Sequence, residues 1–266
     1  MLPIPVETQK VFGTARKWPN LALLLERYGW FPEAARDEKV KKTVLSKLLD
    51  YWQKDAAAAS ADAVRARLEA DLADRRAHGW TVATIEGTTA WRALSGLGEH
   101  SVFETAITLH SLYGFPYFRG SATKGMTRAY ARDWLGEDDG SPLMREIFGN
   151  PWGVKKDFCA AHVEFLGGLP VEAAAIELDI MNPHYPDWYR EGKPPADWCN
   201  PIPVYFLTIG PGTRFRFYLA GDPEHEDATA RAGEWHREAL EEIGVGAKTA
   251  AGYGYFTDLR IFPGLS

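Results

Sequence analysis

The chain has 266 residues, 45% of them apolar and 25% charged, which suits one large or two small globular domains and argues against a collagenous or mostly disordered chain. No run of about 18 apolar residues of the kind that crosses a membrane is present, and the N-terminus lacks the basic-then-apolar pattern of a secretory signal, so a cytoplasmic location with no membrane partner is expected. A net charge of −6, from 30 basic and 36 acidic side chains, counts against indiscriminate nucleic-acid binding by whole-molecule charge, and two cysteines, Cys159 and Cys199, without a C-x-x-C pair exclude a disulfide framework and a Cys-rich zinc site.

The first 79 residues carry helical periodicity. Asn20 is a candidate cap for a helix through Leu21, Leu24, Leu25 and Tyr28, and Val40, Val44, Leu45, Leu48, Leu49 and Trp52 recur at three- and four-residue steps. Val64, Leu68 and Leu72 predict a third helix behind the capping candidates Ser60 and Asp62, ending at Gly79. The run Ala56 to Ala59 suits either a helix start or a linker.

After Gly79 the pattern changes. Residues 81–86, 103–109, 161–166, 171–180, 204–209, 213–219 and 253–261 are strand candidates, and helices are predicted from about Ser121 to Trp134 and from about Asp227 to Glu242. In 213–219, Phe215, Phe217 and Leu219 share one face and Arg214, Arg216 and Tyr218 the other, the pattern of a half-exposed strand. The expected organisation is a helical N-terminal extension, residues 1–79, followed by an α+β core of the ferredoxin-like (RRM-like) type, residues 80–266.

Charge is segregated along the chain. From Thr105 to Arg132 there is no acid, while Arg119, Lys124, Arg128 and Arg132 sum to +4; from Asp222 to Glu242 eight acids face two arginines. In G-F-P-Y-F-R-G-S-A-T-K-G-M-T-R, residues 114–128, Ser121 is a candidate N-cap, Lys124, Arg128 and Arg132 form one helical stripe, and Met126, Tyr130 and Trp134 form another. A helix N-terminus flanked by cations suits phosphate. The bland alternative is a solvated basic face, but like charges four apart cost a few tenths of a kcal/mol per pair without a ligand.

The stretch I-G-V-G-A-K-T-A-A-G-Y-G-Y-F, residues 243–256, holds Gly244, Gly246, Gly252 and Gly254 around Lys248 and Thr249. Small residues let a backbone approach a ligand, and their amides can cradle phosphate. A nucleotide-binding P-loop is disfavoured because Ala247 replaces its last glycine and the segment precedes a strand rather than a helix. A structural turn and a nucleic-acid backbone contact remain.

Both segments resemble motifs of the RAMP superfamily of CRISPR proteins. The first is similar to that family's P-x-I-P-G-S-S-L-K-G-x-x-R segment, and the second to its C-terminal glycine-rich loop. The blocks L-D-I-M-N-P-H-Y-P-D-W-Y and N-P-I-P-V-Y-F-L, residues 178–189 and 200–207, narrow the resemblance to the sixth-subunit family of the type III-B Cmr effector. Departures lie at Phe118, Arg119, Ala122 and Thr123, where the family usually has Ile, Pro, Ser and Leu. The resemblance implies a noncatalytic subunit, without cofactor or metal, that binds CRISPR guide RNA and meets target RNA alongside other Cmr subunits. On this chain the family's basic helix maps to Lys124 and Arg128 and its glycine loop to Gly244 through Gly254, with Gly246, Lys248, Thr249 and Gly252; the charges and helix start described above add Arg119, Ser121 and Arg132 to the expected RNA-binding residues, acting on the backbone rather than on base identity. The rival is a metal-independent endoribonuclease that uses His110 or His184 as general acid or base, with Tyr185 and Asp187 nearby in sequence. Asp179 and Asp187 alone are a weak metal signal. Of ten tryptophans, Trp134, Trp152, Trp188, Trp198 and Trp235 are candidates for base stacking or for packing.

Overall fold

The computed structural model describes residues 17–27, 38–101, 103, 105–150, 159–182, 192, 194 and 203–262. Tyr28, Trp152, His184, Tyr185, Asp187, Trp188, Trp198 and Cys199 lie outside them. Among the described residues no helix is long and apolar enough to cross a membrane.

Three helices come first: α1 (Leu21–Glu26), α2 (Glu38–Tyr51) and α3 (Lys54–Ala77). Asn20 caps α1, its side-chain oxygen accepting from the Leu23 amide at 3.0 Å, while its Nδ2 donates to the Ser111 carbonyl. The alanine run lies inside α3, so the helix begins at Lys54 instead of at Ser60 or Asp62. The Ser60 hydroxyl donates to the Ala56 carbonyl one turn back. Alanine has the highest helix propensity, which favours continuation over a linker.

Then follow β1 (Thr81–Thr89), α4 (Gly120–Ala129), α5 (Pro142–Phe148), β2 (Val163–Pro170), β3 (Ile176–Met181), β4 (Val204–Ile209), β5 (Arg214–Gly221), α6 (Glu226–Glu242) and β6 (Phe256–Phe262). The main sheet has the order β2-β5-β1-β6 with every pair antiparallel. With α4 after β1 and α6 after β5, this is the βαββαβ order of a ferredoxin-like fold, and the β3-β4 pair is an insertion between its second and third strands. Among the described residues of 103–109 no strand forms. They contribute an isolated bridge, Leu109 to Pro116, because the stretch folds back on itself around the 111–113 turn.

α4 and α6 cover one face of the sheet. Their core includes Ile85, Phe118, Met126, Tyr130, Phe215, Phe217, Leu219, Trp235 and Phe256. The opposite face is covered by α1 to α3, whose Leu21, Leu45 and Leu72 share a core with Val82, Tyr218 and Ala220. The expectation of a half-exposed β5 is therefore corrected. Tyr218 is 1% exposed, and Arg216 donates to Glu69 of α3 and to Glu86 of β1, so helices that lie far away in sequence cover the polar face.

The continuation of α4 differs from expectation too. After Ala129 the chain makes one π turn, Tyr130–Trp134, with the Leu135 amide donating to the Tyr130 carbonyl five residues back. The wider turn breaks the periodic stripe. Met126 and Tyr130 are buried, whereas Trp134 turns outward and is 61% exposed.

His236 of α6 is buried beneath the Phe165 and Phe217 rings. The Thr127 hydroxyl donates to the Thr123 carbonyl, so its oxygen can accept from His236 Nδ1–H at 2.8 Å, and His236 Nε2 is buried without a partner. Burial holds this imidazole neutral and pushes its pKa from 6.5 down to about 3. Between those values the unfolded chain takes up a proton that the folded chain refuses, so stability falls as pH is lowered through this window. Each pH unit removes about 1.4 kcal/mol at most. A His236→Leu variant is expected to show a flatter pH profile of thermal midpoint from 6.5 to 3 than the wild type; parallel profiles would refute the assignment.

Candidate nucleic-acid interface

One end of the main sheet carries the glycine-rich segment. β1 and β2 finish there, at Thr89 and Pro170, and β5 and β6 begin there; the register pairs Thr89 with Phe256 and Pro170 with Phe215. α6 stops there and the glycine-rich segment follows it, whereas α4 starts beside Phe165 and Gly167, within β2.

The start of α4 is fixed by β2. Phe118 exchanges backbone hydrogen bonds of 2.9 Å with Gly168, and its ring packs on Phe215, Phe217 and Phe256. Arg119 is the extended N-cap residue and Gly120 the first helical one, so Ser121 lies inside the first turn, exposed, and is not the cap. Glycine is required at 120 because a Cβ would collide with the Phe165 carbonyl oxygen.

The glycine-rich segment is held by the connection after β1. The Ala247 amide donates to the Leu94 carbonyl at 2.8 Å, the Gly254 amide to the Arg92 carbonyl at 2.9 Å, and the Val245 amide to the Gly254 carbonyl at 2.9 Å. Gly244, Gly246, Gly252 and Gly254 have φ of 72°, 99°, 89° and 81°. Lys248 has φ of 60°, in the left-handed region that non-glycine residues rarely occupy, and precedes a 3-10 turn, Thr249–Ala251. Residues 92–99 run between the two segments, because Glu99 in turn accepts from Arg119 Nη2 at 3.0 Å.

Pairing separates the basic residues into two groups. Arg128 makes a double hydrogen bond to Asp139 at 2.8 Å for each arm, and Arg132 does the same with Asp133 at 2.7 Å. Both acids lie outside the acid-free window of the sequence. Tyr130 donates to Glu238 of α6, so the second half of α4 meets acidic neighbours. Arg119 shares its charge with Glu99. The side chains of Lys124 and Lys248, like those of Lys17, Lys47 and Lys54, have no hydrogen-bond or ion-pair partner among the described residues. Burial, with the nearby Arg128 charge as a lesser cause, lowers the Lys124 pKa, as expected for an ammonium with no anion beside it.

Trp91 and Arg92 were not among the candidates of the sequence. Trp91 directly follows β1 and Ala90 and is 45% exposed. Its ring lies 5.2 Å from that of Tyr253 and is approached by the Arg92 guanidinium at 5.3 Å. Tyr253 donates to Asp179 Oδ2 at 2.7 Å, and Arg92 pairs with Glu177 and the same Asp179 oxygen. Burial and Asp179 raise the Tyr253 pKa to about 12. The only local signal was an aromatic-basic pair directly after a strand.

His110 is stacked among Tyr113, Phe115 and Tyr117, its Nδ1 is buried without a partner, and burial lowers its pKa. Among the described residues no acid or second histidine is bonded to it. At the far end of the sheet, His162 and His225 stack at 3.7 Å and both meet Asp222 through Nδ1, at 2.8 and 2.6 Å. This His-Asp-His group joins β2 to the start of α6, remote from the glycine-rich segment.

The sequence model of the RAMP superfamily matches residues 84–257. The CRISPR system Cmr subunit Cmr6 of Pyrococcus furiosus is 33% identical over 224 residues, 62% of this chain and 65% of that protein. Its namesake from Saccharolobus solfataricus is 31% identical over 185 residues, 66% of this chain and 58% of that protein. The chain thus spans less than two thirds of the length of the curated relatives it matches. A chain in the cryo-EM structure of the type III-B Cmr-beta bound to cognate target RNA shares the fold, with a TM-score of 0.65, 24% identity, and coverage of 85% of this chain and 74% of that one.

Proposed function

The chain belongs to the RAMP superfamily, and from that premise we propose that it is a noncatalytic RNA-binding subunit of a cytoplasmic type III-B CRISPR (Cmr) ribonucleoprotein. It holds the sugar-phosphate backbone of guide RNA at the glycine-rich end of its sheet and assembles there with other Cmr subunits and target RNA. One observation carries this reading: Lys248 has no acidic partner among the described residues and sits in backbone turned to positive φ, and Arg119 at the start of α4 is tied through Glu99 to the 92–99 connection that holds this glycine-rich segment. Arg119 and Ser121, at the opening turn of α4, and Gly244, Gly246, Thr249 and Gly252 complete the surface. Arg128 and Arg132 are secondary members, because a phosphate must compete with Asp139 and Asp133 for them. The proposal divides the chain at residue 79 into a helical extension and the core, the extension covering the second face of the sheet.

The endoribonuclease rival finds little support at His110, whose neighbours are aromatic rings and whose charged form burial disfavours. Phosphate contacts make binding salt-dependent. In a titration of single-stranded RNA against the full chain, Lys124→Ala and Lys248→Ala are each expected to reduce the log-log salt slope by roughly 0.7, and Arg128→Ala by less. Unchanged slopes for both lysine variants would point instead to a protein-only scaffold. RNA cleavage without added metal that is lost in His110→Ala would establish the nuclease.

A further inference from the structure

We propose that Trp91 is a stacking platform for one unpaired nucleobase of the strand whose backbone the glycine-rich segment holds; the inference rests on the RNA-binding reading above. Nearly half of this large aromatic residue is open to solvent, yet its position is fixed on the inner side. Tyr253 and Arg92, which approach the ring, meet on the same oxygen of Asp179, which holds both in place beside the indole. The Arg92 carbonyl accepts from the Gly254 amide and the Ala90 amide donates to the Tyr255 carbonyl, so Trp91 is clamped between two residues tied to the glycine-rich segment. An aromatic ring already immobilised loses little conformational freedom on contact, which favours binding.

The neighbours specify the ligand. A Cβ on Gly252 would lie 4.0 Å from the indole, so this turn of the glycine-rich segment runs next to the ring. Lys248 lies in the same turn, its carbonyl accepting from the Tyr253 amide. A cation for a phosphate and an exposed aromatic ring beside the same turn match the two halves of one nucleotide. Arg92 and Tyr253 are already engaged by Glu177 and Asp179 rather than held ready for base edges. The expected contact is therefore stacking without base identity, as in other sequence-tolerant single-strand sites.

The test compares Trp91→Ala, Trp91→Phe and Lys248→Ala in the full chain, by anisotropy of labelled single-stranded RNA at several salt concentrations. Trp91→Ala is expected to weaken binding by about 5- to 150-fold while leaving the salt slope unchanged, and Trp91→Phe to stay within about threefold of wild type. A ribose-phosphate strand lacking bases should bind wild type and Trp91→Ala alike. If Trp91→Ala binds like wild type while Lys248→Ala reduces the salt slope, the platform is refuted and the backbone reading stands. Lack of RNA binding by the wild-type chain at low salt would overturn both.

Discussion

Replacing Glu69 with alanine is expected to lower the thermal midpoint by roughly 4 to 12 °C, from about 2 to 3 kcal/mol of lost stability. Glu69 Oε1 accepts from both Arg216 and the Tyr218 hydroxyl at 2.7 Å, and it is the contact by which α3 answers the polar face of β5. Burial and this carboxylate raise the Tyr218 pKa well above the usual tyrosine range, so the phenol stays protonated and remains a donor. Removing the acceptor leaves that hydroxyl in a nearly sealed position, with Tyr218 1% exposed. Arg216 keeps Glu86, which limits the damage on its side. Calorimetry on Glu69→Ala and on Glu69→Ala with Tyr218→Phe separates the contributions, since the second change removes the orphaned hydroxyl and should restore part of the loss. A double variant as unstable as the single one would show that the phenol bond is not what matters.

Gly246→Ala is expected to cost about 2 to 4 kcal/mol and to weaken RNA binding by roughly tenfold or more. At φ of 99° an L side chain is strained, and its Cβ would collide with the Leu94 carbonyl oxygen. That same carbonyl accepts from the Ala247 amide. The loop must therefore detach from the connection after β1, carrying Lys248 away from the end of the sheet. Gly136→Ala supplies the control: φ there is 76°, and no described residue lies within 4 Å of the added atom. It should show the strain alone, about 1 to 2 kcal/mol, with RNA affinity much nearer wild type. Thermal melts and binding measured on both variants check this; equal effects would mean that contact with Leu94 does not organise the loop.

The ferredoxin-like core was legible because its signals are local. β4 is bounded as the sequence predicted, at Val204 and Ile209, and α6 within one residue of Asp227 to Glu242. Strand alternation and helix periodicity each follow from backbone geometry over a few residues. The misplaced elements had mixed local signals: residues 103–109 have strand composition but bond to the 95 and 115–117 region instead of joining a sheet, and Trp134 continues a helical stripe that a π turn interrupts.

What the residues determined by themselves was which chemistry is available: lysines and arginines on one helix, glycines able to turn backbone amides outward, and a strand with one apolar face. Tertiary structure alone decided how that chemistry is spent. It brought Asp139 and Asp133 to Arg128 and Arg132, left Lys124 and Lys248 without acids among the described residues, laid α3 over the second face of β5, and set Trp91 beside Gly252. The physical reason is range. Propensity and turn geometry act over a few residues, whereas the neutralisation of a charge and the exposure of a ring depend on partners that only the folded chain brings near.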